Sequence, residues 1–450
     1  MPQADLNILL DDIRKMIEEK AYQDVDRFLV DLHPADLADI LEHLEDDERL
    51  NVFKLFTTEI AGEVLIQVSS PIRENLTNEL DDQAITNILN ELNSDDATDI
   101  FSCLSRDRAQ RIIRLVQPEV SEELRKLVAY EEDTAGGIMA LEFVSVNADS
   151  TIREAIENIR EKREEVENLY YVWVVDDLGR LVGVVSIKDL VLEPRSRKIS
   201  DIMNPDVISV DVSTDQEDVA RIAKQYDLVH IPVINNEQKL IGRITNDDII
   251  DVIEEEANED ISLMGGVIDQ EIAEESAFKI SKARLPWLFL GLMGGLLSAV
   301  VINYFHGSLD KMLALAFFIP VIMAMVGSTG TQAATVVIRG LATGDISIIN
   351  TGKRLLTELW VAFINGILCG IVLGFIVAFW LSDPSLGLGV GVSLVTVMFF
   401  SGSFGAFVPL LLRKFNIDPA LAAGPFITTL NDILGLIIYL SIITLFLMAG

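Results

Sequence analysis

The sequence predicts a multi-domain protein with an α-superhelical N-terminal domain, a two-repeat α/β region, a connecting helix and an all-α five-span membrane domain. Three observations predict this organisation. The 450 residues carry a net charge of -35, yet residues 284–450 hold only seven Lys or Arg and six Asp or Glu, so the negative charge lies before them. The apolar spacing changes from helical to strand-like near residue 135. Five long apolar stretches follow residue 284.

Residues 1–130 are predicted to form the helical N-terminal domain. Apolar side chains in residues 5–20 recur at helical spacing, at Leu6, Leu9, Leu10, Ile13 and Ile17. Short units with a polar start, a helix of about ten residues and a turn then recur near Pro34, Asp82 and Ser94, which predicts a small superhelix. The four His residues of the chain are scattered. We therefore expect no His-based triad or metal site and predict that the protein is not an enzyme.

Residues 131–256 contain two aligned repeats, at about 138–196 and 202–256. Each repeat has a strand, a turn rich in Asp, Asn and Gly, a second strand, and a Ser/Thr–Asp pair that opens a helix. This order resembles a tandem pair of CBS modules. In many CBS pairs the hydroxyl and the carboxylate bind an adenosine ribose, so the resemblance implies ATP as a candidate cofactor at Ser186, Asp189, Thr245 and Asp248. The alternative is that these residues only cap their helices.

The acidity and the cysteine content of the soluble half limit its partners and its compartment. A strongly acidic surface argues against nucleic acid, which binds basic faces. Only Cys103 and Cys369 occur in the chain, which excludes a disulfide framework and fits a reducing cytosol. The polar N-terminus does not resemble a signal peptide.

Residues 257–283 are predicted to form the connecting helix, and residues 284–450 the membrane domain. The apolar stretches each reach the ~20 residues that a spanning helix needs, and they cover 285–305, 312–338, 359–381, 388–412 and 426–448. Basic residues concentrate on one side of the predicted spans, at Lys282, Arg284, Arg339, Lys353, Arg354, Arg413 and Lys414. The positive-inside rule therefore predicts a multi-pass protein of the cell membrane with a cytoplasmic N-terminus and Gly450 outside.

Two polar interruptions and one carboxylate predict a watery path through the membrane domain. Pro320 and a Gly-, Ser- and Thr-rich run at 327–332 interrupt span two, and Gly424 and Pro425 open span five. Asp432 lies within span five, where a carboxylate costs at least ~2.5–3.5 kcal/mol and normally faces water or a partner. The alternatives are that the glycines permit close helix packing and that Asp432 is a protonated or helix-capping residue.

With these parts assembled, the chain resembles the MgtE family of magnesium channels over its full length. The domain order is the same, with the connecting segment as the "plug" helix. The matching motifs are EDTAG at 132–136, YDLV at 226–229, EEEANED at 254–260, RLPW at 284–287, RGLATG at 339–344 and DPAL at 418–421. One position departs from the family pattern, because Ser328 replaces an Asn that the family usually carries in span two. Since a hydroxyl reaches less far than a carboxamide, ion selectivity or gating is expected to differ there.

The resemblance implies a homodimer in the lipid bilayer, with a pore between the subunits that spans two and five line. Asp432 would supply one pore carboxylate per subunit, and the other implied pore residues are Thr428, Gly424, Gly327 and Gly330. Magnesium prefers octahedral oxygen ligands and dehydrates reluctantly, so such a pore would hold the hydrated ion. The sequence contains no ATPase signature, which disfavours a pump.

The resemblance also implies that Mg²⁺ acts as a regulatory cofactor. The ion would bind between acidic surfaces of the N-terminal domain, the CBS pair and the plug helix, and would hold the pore shut. When the ion leaves, like charges would repel and loosen the assembly. The candidate ligands are Asp95, Asp99, Asp248, Glu255, Glu259, Asp260 and Asp418.

The sequence is also compatible with two other functions. The chain could be a secondary transporter of divalent cations such as Mg²⁺ or Co²⁺, with a nucleotide-regulated CBS pair and a carboxylate that relays protons. It could instead be a membrane-anchored nucleotide sensor whose spans only anchor it. The polar interruptions of spans two and five argue against simple anchoring.

Overall fold

The computed structural model describes residues 3–19, 21–30, 32–161, 169–267, 277–342, 351–415, 417–422 and 424–449. The chain divides into two compact units, Met1–Glu254 and Glu255–Gly450. Two predictions fall partly outside the described residues. These are the middle of the connecting segment, at 268–276, and the position of Gly450.

The first unit begins with ten helices in its described part, in agreement with the predicted helical domain. They are α1 (Gln3–Glu18), α2 (Tyr22–Leu29), α3 (Pro34–Glu42), α4 (Asp46–Phe53), α5 (Thr58–Gln67), α6 (Ser70–Glu79), α7 (Asp82–Leu89), α8 (Ser94–Ser102), α9 (Arg106–Ile112) and α10 (Pro118–Leu127). Their apolar faces form one core that extends from Leu10 to Leu124. Short helices of this kind bury enough apolar surface only by stacking on their neighbours.

Three arginines join their own helices to the C-terminal ends of earlier helices by the same kind of contact. Arg49 of α4 donates to carbonyls at the end of α3, Arg73 of α6 to those at the end of α5, and Arg108 of α9 to those at the end of α6. The acceptor oxygens are those of Leu41 (2.8 Å) and Leu44 (2.7 Å), Leu65 (3.1 Å) and Ile66 (2.6 Å), and Thr77 and Leu80. The last carbonyls of a helix lack partners within it, so each guanidinium satisfies such carbonyls and joins two helices.

Two small sheets follow, as the repeats predicted. Strands β1 (Ser145–Asn147), β2 (Tyr171–Val175) and β3 (Leu181–Ser186) form one, and β4 (Val210–Asp211), β5 (Ile231–Ile234) and β6 (Leu240–Ile244) form the other. In both, the first two strands pair in parallel and the last two pair antiparallel. The accompanying helices are α11 (Ile152–Glu161), α12 (Ile187–Leu192), α13 (Gln216–Tyr226) and α14 (Asn246–Gly265). Helix α14 continues through the acidic run at 254–260 and ends at Gly265, at the predicted glycine break.

Five described helices of the second unit are long and apolar enough to cross a membrane, as predicted. They are α15 (Ala277–Tyr304), α17 (Ile319–Ala342), α18 (Thr351–Leu381), α19 (Pro384–Lys414) and α20 (Pro425–Ala449). The short helix α16 (His306–Lys311) lies between α15 and α17, and 3-10 turns at Leu313–Phe318 and Pro419–Ala422 precede α17 and α20.

The predicted interruption of span two at residues 327–332 is wrong, because α17 is a continuous α-helix through this run. Pro320 occupies its first turn, where the missing N–H has no helical partner to lose. The chain bends earlier, at Met312 and the 3-10 turn that follows it. There the buried hydroxyl of Tyr439 donates to the carbonyl of Leu315 at 2.9 Å, which satisfies a backbone acceptor at this irregular turn.

Helices α18 and α19 contact each other through glycines. Gly370 and Gly374 on α18 face Gly391 and Gly387 on α19, and Gly366 faces the backbone of Val395. A Cβ on Gly391 would lie 2.7 Å from the carbonyl oxygen of Gly370, and a Cβ on Gly370 would lie 2.7 Å from that of Gly391. The two backbones therefore approach as closely as small residues allow.

We expect Gly391→Leu to destabilise the membrane unit by about 1–3 kcal/mol, because backbone rather than a mobile side chain occupies the required space. The thermal unfolding midpoint of the full chain in detergent measures this effect. Gly295→Leu is the matched control, since no atom of the described part of the chain lies within 4 Å of a Cβ at Gly295, and Leu is a better helix former than Gly. Equal midpoints for the two variants would contradict this account of the α18–α19 contact.

Candidate functional site

Asp432 lines an open cavity in the second unit. The cavity has a volume of about 430 Å³, and its described lining residues are Met264, Gly265, Gly291, Thr331, Gly424, Thr428, Thr429 and Asp432. Three of the residues predicted for the pore, Gly424, Thr428 and Asp432, therefore meet at one site. The described lining contains one carboxylate and no basic side chain, so its electrostatic potential favours a cation.

The start of α20 places these three residues. Thr428 lies one helical turn before Asp432, so both side chains face the same direction. The Thr428 hydroxyl and backbone N–H approach the Gly424 carbonyl at 3.4 and 3.5 Å. Gly424 also lies close to the end of α14, where a Cβ would stand 3.1 Å from the Leu263 carbonyl oxygen. Glycine thus allows the end of α14 to approach the mouth of α20.

The two predicted pore glycines of α17 do not line this cavity in the described structure. Gly330 lies at the crossing of α17, α19 and α20, where a Cβ would collide with the side chain of Asn431. A Cβ at Gly327 would have no atom of a described residue within 4 Å. Ser328, at the departure from the family pattern, is exposed on α17. Gly330 therefore permits close packing of these helices, which is the alternative role given above for the glycines.

Asn431 is a polar residue of this crossing that was not among the residues predicted from the sequence. Its side chain is only 2% exposed, and its amide nitrogen has no hydrogen-bond partner among the described residues. The neighbouring Ser401 hydroxyl donates to the Val326 carbonyl at 2.7 Å. The feature of the sequence that could have identified this residue is an Asn next to an Asp within an apolar segment.

The first unit brings together acids from α8 and from the start of α14. Burial, and next the charge of Asp248, raise the pKa of Asp95 well above its usual range. Burial and the same neighbouring charge raise the pKa of Asp96 to about 7. Burial raises the pKa of Asp248 to about 6, although a hydrogen bond from Thr245 opposes the shift. Two predicted regulatory residues, Asp95 and Asp248, are therefore neighbours, and Asp96 was missed.

Polar contacts fix α8 within this acidic cluster of Asp95, Asp96 and Asp248. The backbone N–H and hydroxyl of Ser94 donate to the Glu142 carboxylate at 2.9 and 2.8 Å. Asp99, one turn after Asp95, lies 3.7 Å from the Arg73 guanidinium. Among the described residues, no three His, Cys, Asp or Glu side chains are close enough to hold a metal ion directly. A divalent ion at this cluster would have to bind partly through its own water molecules.

The remaining predicted regulatory acids belong to the second unit. Glu255 and Glu259 lie one turn apart on an exposed part of α14. Burial, followed by the charges of Asp418 and Glu256, raises the pKa of Asp260 to about 6. Asp418 accepts a hydrogen bond from the backbone N–H of Ala420 at 2.8 Å and so caps the 3-10 turn before α20. Asp260 and Asp418 are thus close enough to repel one another.

The two Ser/Thr–Asp pairs of the repeats cap helices. The Ser186 hydroxyl donates to the Asp189 carboxylate at 2.6 Å, and the Asp189 backbone N–H donates back to the hydroxyl oxygen at 3.1 Å. The Asp248 carboxylate accepts from the Thr245 hydroxyl and from its backbone N–H, the latter at 3.1 Å. Asp248 therefore belongs both to a helix cap and to the acidic cluster.

Comparisons with family models cover most of the chain. A model described as MgtE, divalent cation transporter, matches residues 319–442. The model of the MgtE intracellular N domain matches residues 32–133, and the CBS domain model matches residues 135–195 and 199–255.

Two solved structures resemble the soluble part of the chain. One is a crystal structure of the cytosolic domain of the Mg²⁺ channel MgtE in complex with ATP, with a TM-score of 0.52, 33% identity and coverage of 54% of this chain and 99% of that one. The other is the soluble part of a magnesium transporter, with a TM-score of 0.50, 30% identity and coverage of 56% and 99%. These similarities confirm the predicted helical domain and CBS pair.

Curated relatives match almost the entire chain. The magnesium transporter MgtE of Thermus thermophilus is 36% identical over 97% of this chain and 98% of its own length. The magnesium transporter MgtE of Bacillus subtilis is 32% identical over 96% of both chains. With this identity sustained over the helical domain, the CBS pair and all five apolar helices, the chain belongs to the MgtE family.

Proposed function

We propose that this protein is a magnesium channel that carries the hydrated ion past Asp432 into the cytoplasm. The observation that carries the proposal is the position of this carboxylate, within an apolar helix yet on the wall of an open cavity. A membrane protein places a carboxylate in such a segment at a cost, and an ion path accounts for it. The names of the full-length relatives support magnesium as the ion.

The cavity volume suits a hydrated ion. Six water molecules of about 30 Å³ each occupy about 180 Å³, less than half of the 430 Å³ available. Magnesium exchanges its inner water reluctantly, so a site that contacts those waters avoids the cost of removing them. The Asp432 carboxylate and the Thr428 hydroxyl would accept hydrogen bonds from the water shell.

The proposed channel is a homodimer, in which Asp432 of each subunit faces a shared path. The soluble half lies in the cytoplasm and the C-terminus lies outside, as the positions of the basic residues predict. The membrane potential then drives the ion inward with about 2.3 kcal/mol per charge per 100 mV, doubled for a divalent cation.

Regulation by intracellular Mg²⁺ completes the proposal. The cluster of Asp95, Asp96 and Asp248 repels itself when it is ionised, and a bound divalent ion would remove that repulsion. Asp260 and Asp418 supply a second pair of close acids near the start of α20. ATP is proposed as a ligand of the CBS pair, where Ser186, Asp189, Thr245 and Asp248 offer hydroxyl and carboxylate groups to a ribose.

Ion flux into liposomes that contain the purified full chain tests this function. We expect Mg²⁺ to enter in preference to Ca²⁺, with Co²⁺ and Mn²⁺ compared in the same assay. Single-channel current steps are expected in planar bilayers. Flux without such steps, together with dependence on a proton gradient, would favour the secondary transporter. Absence of all divalent flux would contradict transport.

A further inference from the structure

Gly291 of α15 lies on the wall of the cavity that contains Asp432. It is exposed, and no atom of the described residues lies within 4 Å of the position that a Cβ would take. A side chain at this position would therefore extend beside the cavity without colliding with any of the described helices. The resemblance to the MgtE family implied a path lined by spans two and five, without span one.

A close contact with α20 fixes the position of α15 at this depth. Gly294, three residues after Gly291, is buried, and a Cβ there would collide with the side chain of Thr429. Thr429 itself lines the cavity. Ser298, one turn further along, is also buried. Gly294 and Ser298 lie on the face of α15 that meets α20, and Gly291 lies one turn before Gly294, so this contact holds Gly291 near the side of α20 that carries Thr429.

From this geometry we infer that Gly291 sets the width of the ion's route beside Asp432, and that span one lines this route together with spans two and five. The inference rests on the proposed function, because it describes the passage of the same hydrated ion. A cation that keeps its six waters needs far more room than a bare one. The absence of a side chain at Gly291 leaves that room, and any larger residue narrows it.

Two leucine variants distinguish an effect on the width of the ion's route from an effect on folding. Gly291→Leu is expected to lower Mg²⁺ influx into liposomes at least about tenfold, which corresponds to about 1.4 kcal/mol in the barrier. Gly295→Leu, four residues along the same helix, is the matched control. Among the described residues, no atom lies within 4 Å of a Cβ at Gly295 either, and Gly295 is not part of the described cavity lining. Mg²⁺ influx through Gly295→Leu is expected to stay at the wild-type level. The thermal unfolding midpoints of Gly291→Leu and Gly295→Leu are also expected to match the wild type.

A thiol at the same two positions gives a second measurement that does not depend on a bulky substitution. Cys103 and Cys369 are first replaced by Ser. A cationic methanethiosulfonate reagent is then expected to modify Gly291→Cys and to block influx, and millimolar Mg²⁺ is expected to slow that block. Gly295→Cys is expected to retain its influx after the same treatment.

The outcomes distinguish this inference from the proposed function. Wild-type influx in Gly291→Leu, or a block of Gly291→Cys that Mg²⁺ does not slow, would overturn the role of Gly291 while the channel assignment stands. Equal inhibition of the Gly291 and Gly295 variants would overturn it as well, since the effect would then not depend on the cavity. Absence of influx in the wild-type protein would overturn both.

Discussion

Asp432→Asn is expected to lower magnesium influx by well over a hundredfold. A divalent ion held through one water layer, about 6 Å from the carboxylate, gains about 5 kcal/mol at an effective dielectric constant near 20. Asn has nearly the same shape and retains a hydrogen-bonding oxygen, so the substitution removes the charge and leaves the cavity volume intact. Initial rates of Mg²⁺ entry into liposomes, normalised to the amount of reconstituted protein, measure the effect.

Asp383→Asn is the matched control for this prediction. Asp383 caps α19 by accepting from the backbone N–H groups of Ser385 and Leu386, both at 3.0 Å. Asn caps helices as well as Asp does, and Asp383 does not line the cavity. Influx through Asp383→Asn is expected to match the wild type. Full influx through Asp432→Asn would show that the ion takes another route.

The sequence could predict those parts of the fold that depend on local patterns. The sheets of the CBS pair follow from strand–turn–strand units whose residues lie close in sequence, and the five spans follow from length and hydropathy alone. Span two shows the limit of local patterns. Its Gly and Ser residues predicted an interruption, but packing at Gly330 against α19 and α20 keeps α17 helical. Tertiary packing outweighs helix propensities of about 1 kcal/mol per glycine.

The candidate site was predictable where one helix supplies the residues. Gly424, Thr428 and Asp432 lie at four-residue spacing, so a helix brings them to one face without further information. Gly291 and Thr331 come from other helices, and their positions depend on how α15 and α17 pack on α20. A glycine in an apolar helix gives no sign of whether it faces a neighbour, as Gly294 does, or open space, as Gly291 does.

The acidic cluster of the first unit predicts an unusual dependence of stability on pH. The pKa of Asp96 is about 7 in the folded protein, against an ordinary value of 3.8. The folded state therefore keeps this proton at a pH where the unfolded chain has lost it, and stability falls as pH rises from about 4 to about 7. Asp248, with a pKa of about 6, and Asp95, whose pKa is also raised, add to the same trend.

Protons and Mg²⁺ are thus expected to relieve the same repulsion in the cytoplasmic unit. At about pH 7.5, where the cluster is ionised, millimolar Mg²⁺ is expected to slow proteolysis of the soluble half of the full chain severalfold. Near pH 5 the carboxylates hold their protons, so cleavage without Mg²⁺ is expected to be slower and the protection by Mg²⁺ smaller. Limited proteolysis at both pH values, with the protease activity calibrated at each, measures the difference.

Two asparagine variants decide whether this cluster is the cause. Asp96→Asn removes one ionisable group from the cluster, so it is expected to stabilise the Mg²⁺-free protein near pH 7.5 by on the order of 2 kcal/mol. Its response to Mg²⁺ should shrink for the same reason. Asp206→Asn, at an exposed Asp of the same unit outside the cluster, is expected to behave as the wild type. Proteolysis that does not change with Mg²⁺ at either pH would contradict regulation by this cluster, because a bound cation must stabilise the state that binds it.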